Sequence, residues 1–173
     1  MKIVTIGQVR EHVKADGDDD ELLTAYANAA EAACERLANR AIFATTGELT
    51  TAKAAVPAMM TTAYETYDAA VLAAQGHDDD RIIVMMTAQA QNALNAATLR
   101  ADWVLNGLAI DKAADGTSQP KGDDIVVAIL MTAGHYYRNR ENVVTGQGAA
   151  AVELPGAAKD IMLLNRWIGR NEY

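Results

Sequence analysis

DDIVVAILMTAGHYYRNRE, residues 123–141, is the stretch that decides the fold. Asp123 or Asp124 can cap the start of a helix, because a carboxylate accepts hydrogen bonds from the free backbone amides there and favours the positive end of the helix dipole. From Ile125 onward, apolar residues surround the helix and leave no wide polar face, which is typical of a helix in the middle of a bundle. The stretch therefore predicts a central buried helix that ends in the polar residues 138–141.

Shorter helices are predicted on both sides of this stretch. Thr5 and Gln8 form a capping-box pattern that starts a short helix with Ile6, Val9 and Val13 on one side. A second helix, at about residues 19–39, follows an acidic turn at 16–20 and carries small alanines that allow close helix packing.

The chain beyond the central helix predicts a loop and one more helix. Residues 142–153 contain Gly146, Gly148 and a triple alanine, and indicate a flexible loop or a short hairpin. A last helix is predicted at 157–167, with Ile161, Leu164 and Ile168 on one side and Met162 beside them.

Residues 45–122 are rich in alanine and threonine and predict an inserted antiparallel helical hairpin. Its first arm is predicted to begin at Val56 or Pro57, since proline is tolerated in a first helical turn, and to end at Gln75. The second arm is predicted from an acidic cap at 78–80 to about Asn106, and 108–122 is predicted to be a linker. The fold predicted from the whole sequence is all-α, a small helical bundle with one inserted hairpin.

The uncharged run at residues 82–99 is as long as a membrane-spanning helix, but its amides would be costly in lipid. We expect a soluble amphipathic helix here and no membrane partner. Its polar stripe consists of Thr87, Gln91, Asn95, Thr98 and Asp102, and its apolar face of Ile83, Met86, Ala90, Leu94, Ala97, Ala101 and Val104.

Length and composition limit the class of protein. A chain of 173 residues is expected to form a single domain. The net charge of −8 argues against sequence-independent binding of nucleic acid, because such binding depends on Lys and Arg side chains that neutralise phosphates. The single cysteine, Cys34, excludes an intrachain disulfide and fits a reducing cytoplasm. The first six residues lead straight into a capping pattern, so a signal peptide is not expected.

The order of several segments resembles the head-tail connector (adaptor) family of tailed bacteriophages, in the variant with an alanine-rich helical insertion. The segments are VTIGQVREHV (4–13), KADGDDDELL (14–23), YANAAEAACERLANR (26–40), HYYRNRE (135–141) and VELPGAAKDIMLLNR (152–166). The match covers about residues 3–43 and 123–168. Three positions depart from the family pattern, because Val13 stands where leucine is usual and Leu164 and Asn165 replace a common proline and tyrosine.

The resemblance implies a structural virion protein without enzymatic activity or cofactor. Such proteins form a homo-oligomeric ring under the portal, twelve-fold to match it, extend the DNA channel, and provide a docking surface for stopper or tail-completion proteins. Genomic DNA then passes through the ring without sequence-specific binding. The implied location is the head-tail interface at the capsid vertex, and the host cytoplasm during assembly. The residues that carry over are Asp19, Leu22, Arg40, His135, Tyr137, Asn139, Arg140, Glu141, Leu154, Pro155 and Arg166.

Two sets of residues are candidates for the functional surfaces. The interface candidates are Arg138, Arg140, Glu141, Val144, Gly146, Gly148, Leu154, Pro155 and Arg166. Of these, Arg138 is the expected contact with a neighbouring subunit or the portal, and Arg140 is expected to pack near Arg40 and an acidic partner. The candidates for acidic surface near the channel or ring rim are Asp18, Asp19, Asp20, Asp78, Asp79 and Asp80.

Two other functions remain open from the sequence. A small terminase subunit also forms rings, but it should carry a DNA-binding helix-turn-helix with basic recognition residues. A metal-dependent helical hydrolase could use His77 beside the aspartates 78–80, since imidazole and carboxylate bind divalent metals. The other histidines, His12 and His135, offer no convincing further ligands, and the acidic residues 78–80 are more simply explained as a helix cap.

Overall fold

The computed structural model describes residues 3–15, 19–111, 120–139 and 154–168, and the fold is all-α. The predicted loop or hairpin at 142–153 lies outside the described residues. The elements in chain order are α1 (Ile6–Val13), α2 (Asp20–Ala38), β1 (Ile42–Phe43), α3 (Thr46–Gln75), α4 (Asp80–Leu105), β2 (Leu108–Ala109), α5 (Pro120–Arg138) and α6 (Gly156–Leu164).

The chain separates into two compact units. The first comprises the described parts of Met1–Thr46 and Leu108–Tyr173, and the second is Gly47–Gly107. The second unit lies within the segment 45–122 that the sequence marks as an insertion, and it consists of nearly all of α3 and α4.

In the first unit, α5 is the central helix, because it packs against α1, α2 and α6. Its residues Ile125, Ile129 and Ala133 are completely buried, as predicted. The helix is not covered on every side, since Val127 is 47% exposed. Much of the core contributed by α2 is alanine, which lets the two helix backbones approach closely.

Local signals set the ends of α1 and α2. Thr5 and Gln8 form the predicted capping box, with the Gln8 amide 3.3 Å from Thr5 Oγ1 and the Thr5 amide 2.8 Å from Gln8 Oε1. Asp19 directly precedes α2 and Asn39 ends it in a left-handed conformation, with φ of 52°. α1 therefore begins directly after its predicted cap, and α2 lies within a residue of its predicted bounds, 19–39.

The predicted start of α5 is wrong. The helix begins at Pro120, so Asp123 and Asp124 lie inside it as exposed residues and do not cap it. Proline is well suited to a first helical position, because its missing N–H would have had no partner there. Asp123 still lies in the first turn, where its charge favours the helix dipole.

The predicted linker at 108–122 begins with a strand. β2 pairs with β1 in parallel, with Ile42 opposite Leu108 and Phe43 opposite Ala109. The Leu108 amide donates to the Ala41 carbonyl at 2.9 Å. β1 follows α2 and β2 follows α4. Because the two strands are paired, the chain leaves the first unit and returns to it at neighbouring positions.

The predicted start of α3 is also wrong, because the helix begins at Thr46 and contains Pro57 in its interior. Asp111 anchors this earlier start, since it accepts from the Thr46 amide at 2.8 Å and from the Thr46 hydroxyl at 2.7 Å. These contacts lower the pKa of the Asp111 carboxyl, the backbone hydrogen bond being the larger cause.

The prediction for α4 is confirmed. Asp79 caps its first turn by accepting from the Arg81 amide at 2.8 Å, and Asn106 follows its last residue. Its apolar face is the predicted one, because Ala90 and Ala101 are buried. Within the described ranges, no helix has the length and apolarity that a membrane crossing requires.

Candidate functional site

The start of α2 is tied to the end of α5 and to α1 by the acidic residues Asp19 and Asp20. The Tyr137 hydroxyl donates to Asp19 Oδ2 at 2.6 Å, and the Tyr137 ring meets Tyr26 edge to face at 6.5 Å. Asp20 accepts from Arg10 Nε at 3.2 Å and Nη2 at 2.7 Å. The hydrogen bond and charge of Asp20 raise the pKa of Arg10. Both carboxylates of this candidate surface therefore have partners within the chain, and Asp18 lies outside the described residues.

The second acidic candidate cluster, Asp78, Asp79 and Asp80, lies in the turn between α3 and α4 and is exposed. Asp79 has a structural role as the cap of α4, while the turn as a whole presents negative charge to solvent. His77 is exposed beside it. Among the described residues, no group of three or more His, Cys, Asp or Glu side chains could hold a metal ion.

The other two histidines lie at the end of the bundle near α5. The ring of His12 lies over Gly134, where an added Cβ would be 3.2 Å from its Cδ2 atom. Asn139 donates its side-chain amide to the His135 carbonyl at 2.9 Å and lies 3.1 Å from the His135 ring nitrogen Nδ1. Both histidines thus have packing or hydrogen-bonding roles in the first unit.

Arg138 is the last residue of α5 and is exposed. It forms no ion pair with any residue that the structure describes. Five of the other interface candidates lie outside the described ranges, namely Arg140, Glu141, Val144, Gly146 and Gly148.

Leu154 and Pro155 lead into α6 and are half-buried, and Leu154 packs against the core of the first unit. Of the side predicted for the last helix, Ile161 packs on this core, but Leu164 is 85% exposed and Ile168 is 58% exposed. The predicted end at 167 is wrong, because α6 ends at Leu164. The helix buries Ala158 and Met162, and Asn165, which directly follows it, is also buried. An exposed C-terminal patch results, consisting of Leu163, Leu164, Trp167 and Ile168 with the exposed Arg166 among them.

The segment carrying the C-terminal patch is fixed to the end of α2. Arg40 Nε donates to the Asn165 carbonyl at 2.8 Å, the Trp167 amide donates to the Ala38 carbonyl at 2.8 Å, and Asn39 donates to the Trp167 carbonyl at 3.2 Å. Burial lowers the pKa of Arg40. Among the described residues, Arg40 has this carbonyl as its partner. The prediction that Arg140 packs near Arg40 and an acidic partner falls on a residue outside the described ranges. Sequence patterns gave no sign of these contacts.

The second unit carries an open groove of about 450 Å³ between α3 and α4. We call it the hairpin groove, and Met59, Ala63 and Tyr67 of α3 and Ala90, Leu94 and Ala97 of α4 line it. Two threonines in its wall hydrogen-bond to their own helix, Thr62 to the Ala58 carbonyl at 3.2 Å and Thr66 to the Thr62 carbonyl at 2.7 Å. The groove therefore offers mainly apolar atoms to an occupant. The sequence analysis did not identify it, although the uncharged run at 82–99 was a signal.

No protein-family model, no curated protein and no solved structure matches the chain. The structure therefore defines only the fold class, which is all-α, with a helical bundle as one unit and two long helices as the other.

Proposed function

We propose that the protein is a structural subunit of a phage virion, a head-tail connector that assembles as a ring under the portal. In this role it extends the DNA channel and provides the docking surface for a stopper or tail-completion protein. The proposal starts from the sequence resemblance and is supported by how the segments that carry it lie in the fold.

The observation that carries the proposal is the contact between Asp19 and Tyr137. Both residues carry over from the connector family, and they are 118 positions apart in the sequence. Their side chains form a hydrogen bond of 2.6 Å that joins the N-terminal and C-terminal parts of the bundle. Two further carried-over residues, His135 and Asn139, contact each other at the C-terminal end of α5, but this contact joins positions only four apart and is local to the helix end. A bundle shared with the connector family would bring Asp19 and Tyr137 together, so the contact supports the proposal.

The charge of the chain supports the same role. A net charge of −8 per subunit, repeated around a ring, produces a wall that repels phosphate and lets DNA slide past. The exposed acidic turn at 78–80 and the cluster at 18–20 are our candidates for this wall. Asp20 contributes less free charge to this wall, because the guanidinium of Arg10 pairs with it. Asp19 keeps its charge, because its partner, the Tyr137 hydroxyl, is neutral.

The C-terminal patch is our candidate for docking to the portal or to the next tail component. It combines exposed apolar side chains with Arg166, and the contacts of Arg40 and Asn39 hold it in place. A surface that is already fixed in the free subunit loses little entropy when a partner binds.

The experiment that tests the proposal is the mass of the purified protein, alone and mixed with its portal, measured by light scattering with negative-stain imaging. We expect rings, or a defined complex on the portal. A protein that ignores the portal at every salt concentration would contradict the proposal. Tight DNA binding would then favour the terminase function, and metal-dependent turnover would favour the hydrolase function.

Arg138→Glu provides a residue-level test of the same function. We expect the variant to fold normally, because Arg138 is exposed and has no described ion pair, but to lose at least tenfold in ring or portal assembly. Lys159→Glu, which makes the same charge change at an exposed position on α6, is the matched control. Unimpaired assembly of Arg138→Glu would remove this residue from the interface.

A further inference from the structure

α3 carries a proline in its interior. Pro57 is the twelfth residue of this 30-residue helix and is exposed. Because proline has no backbone N–H, the hydrogen bond that residue 57 would donate to the Lys53 carbonyl is missing, and the proline ring crowds that carbonyl. Sharp bends in long helices occur mainly at positions of this kind. The backbone of α3 therefore has a weak point in the turn that contains Lys53 and Pro57.

Threonine hydroxyls weaken both helices of the hairpin near this turn. Thr61 Oγ1 donates to the Pro57 carbonyl at 3.1 Å, and in α4 Thr98 Oγ1 donates to the Leu94 carbonyl at 3.0 Å. A hydroxyl that binds the carbonyl four residues earlier competes with the helical hydrogen bond and favours bending. α4 therefore has a weak point of its own at Thr98.

The two weak points lie at the same level of the hairpin. The hairpin groove extends to Met59 on α3 and to Ala97 on α4 at its end away from the turn that joins the helices. Pro57 lies about 3 Å beyond Met59 along α3. Thr98 lies about 1.5 Å beyond Ala97 along α4. Both helices can therefore bend at this end of the groove.

The packing of the hairpin also changes at this level. Val56 and Ala101, which lie next to it on the side away from the groove, are both buried. On the other side we define residues 58–97 as the distal arm, and within it only Ala74 of α3 and Ala90 of α4 are buried. Few buried side chains are typical of a part with low local stability. A well-packed layer thus borders a loosely packed arm.

No side-chain hydrogen bond joins the two helices within the distal arm, all of which the structure describes. The bonds that are present stay within one helix, such as Thr66 to the Thr62 carbonyl at 2.7 Å and Gln91 to Asn95 Oδ1 at 3.0 Å. Two paired helices that bend together must slide slightly past each other. No side-chain hydrogen bond between them has to break for this motion.

We propose that the hairpin contains a hinge, formed by Pro57 and Thr98, on which the distal arm pivots. The buried layer at Val56 and Ala101 stays fixed, and the missing backbone hydrogen bond of α3 supplies the bend. The distal arm is about 27 Å long, so a bend of about 20° moves its tip by about 9 Å. The inference goes beyond the proposed function, and its argument uses only the hairpin.

The first test measures hydrogen exchange of backbone amides in the full chain. The amides of residues 55–60 should have protection factors at least about tenfold lower than those of residues 66–70, although 66–70 are nearer to a helix end. Pro57→Ala supplies the missing donor and should raise the protection of 55–60 at least about tenfold. Thr66→Ala, at an exposed position within the distal arm, is the matched control and should leave it unchanged. Equal protection along α3, or no effect of Pro57→Ala, would overturn the proposal.

The second test measures the motion of the tip by double electron-electron resonance. In a Cys34→Ala background, spin labels are attached to His77→Cys in the turn and Lys159→Cys on α6, both at exposed positions. Dilution with unlabelled protein restricts the measured distances to those within one copy. The distance distribution should become about twofold narrower in Pro57→Ala and keep its width in Thr66→Ala. Motion between the two units widens all three distributions equally, so the same width in all three would overturn the hinge.

The hinge and the connector function can fail separately. If Pro57→Ala narrows the distribution but the unmodified protein forms no ring or portal complex, the connector function fails and the hinge stands. If rings form but Pro57→Ala changes neither protection nor distances, the hinge fails and the connector function stands.

Discussion

Cys34 lies on α2 with no exposed surface, packed in the core of the first unit. Burial raises the pKa of its thiol from an ordinary value of 9.0 to about 11, since the thiolate is costly to form without water. The thiolate is the reactive form, so the folded protein should protect this cysteine from modification.

We therefore expect the thiol in the folded protein to react with a chromogenic disulfide at pH 8 at least about tenfold more slowly than an exposed cysteine, because less of it is thiolate and none of its surface is exposed. In denaturant the same thiol should react at the ordinary rate. Rapid reaction of the folded protein would mean that α2 opens away from the core on the time scale of the assay.

Gly122 is buried in the first turn of α5, directly against the backbone carbonyl of Ile110. A Cβ at this position would come closer to that carbonyl oxygen than real Cβ atoms do, and a backbone atom cannot move aside cheaply. We expect Gly122→Ala to lower the free energy of unfolding by about 1–3 kcal/mol, measured by urea denaturation.

Gly7→Ala is the matched control for Gly122→Ala. Gly7 lies in α1, is exposed, and has only Thr5 Oγ1 near an added Cβ, at 3.9 Å. Alanine there should leave stability unchanged or raise it by up to about 1 kcal/mol, because alanine has the higher helix propensity. Equal losses at both positions would show that the approach of Ile110 does not determine the effect.

At the scale of the element, the start of α3 depends on one carboxylate. The Asp111 pKa is lowered from 3.8 in the folded state, so its contribution to stability is present above pH 3.8 and is lost as the pH falls through the lower folded value. We expect the amide protection factor of Thr46 to fall in this acidic range while that of the middle of α3 is retained, measured by hydrogen exchange.

Asp111→Ala should reduce the protection of the Thr46 amide already at pH 6, because the acceptor is then missing at every pH. Asp68→Ala, which removes an exposed carboxylate from the middle of α3, is the control and should leave that amide protected. An unchanged Thr46 amide in Asp111→Ala would show that another group holds the helix start.

The sequence predicted the elements whose ends are set by neighbouring residues. The Thr5–Gln8 capping box, Asn39 and the Asp79 cap are all within a few positions of the helix they bound, and α1, α2 and α4 were predicted closely. The start of α3 was missed because its anchor, Asp111, is 65 positions away. The two-residue strands β1 and β2 were missed because a pair so short has no periodic pattern.

The candidate surfaces were less predictable than the fold, because their side chains have partners that are distant in the sequence. Asp19 and Asp20 looked like free surface charge, since nothing near them in the sequence identifies Tyr137 and Arg10 as partners. The C-terminal patch depends on Arg40, which is 125 positions from the carbonyl of Asn165 that it holds.

At the scale of the whole molecule, the core belongs to the first unit alone. All buried residues of the core cluster lie at or before Ile42 or at or after Ile125. We expect a chain in which residues 47–107 are replaced by a six-residue Gly-Ser linker to keep a cooperative urea transition and a native near-ultraviolet circular dichroism spectrum. The free energy of unfolding of this shortened chain should fall less steeply with urea concentration than that of the full chain, because less surface is exposed on unfolding.

The adjacent strands make this replacement feasible, since neighbouring strands are only about 5 Å apart. A matched chain with the same linker replacing residues 20–38, which removes α2 and its core residues, should lose the cooperative transition. A hairpin-deleted chain that also unfolds without a cooperative transition would show that the second unit stabilises the first.

Because β1 and β2 are paired, the hairpin segment leaves and re-enters the bundle at one place. In a gene, that segment is one continuous run of codons. The bundle core keeps all of its codons when the segment is lost, lengthened or replaced by another antiparallel helix pair. Recombination between related genomes can therefore exchange hairpins while the bundle is inherited intact. The hairpin segment is then free to diversify at a different rate from the segments that form the bundle core.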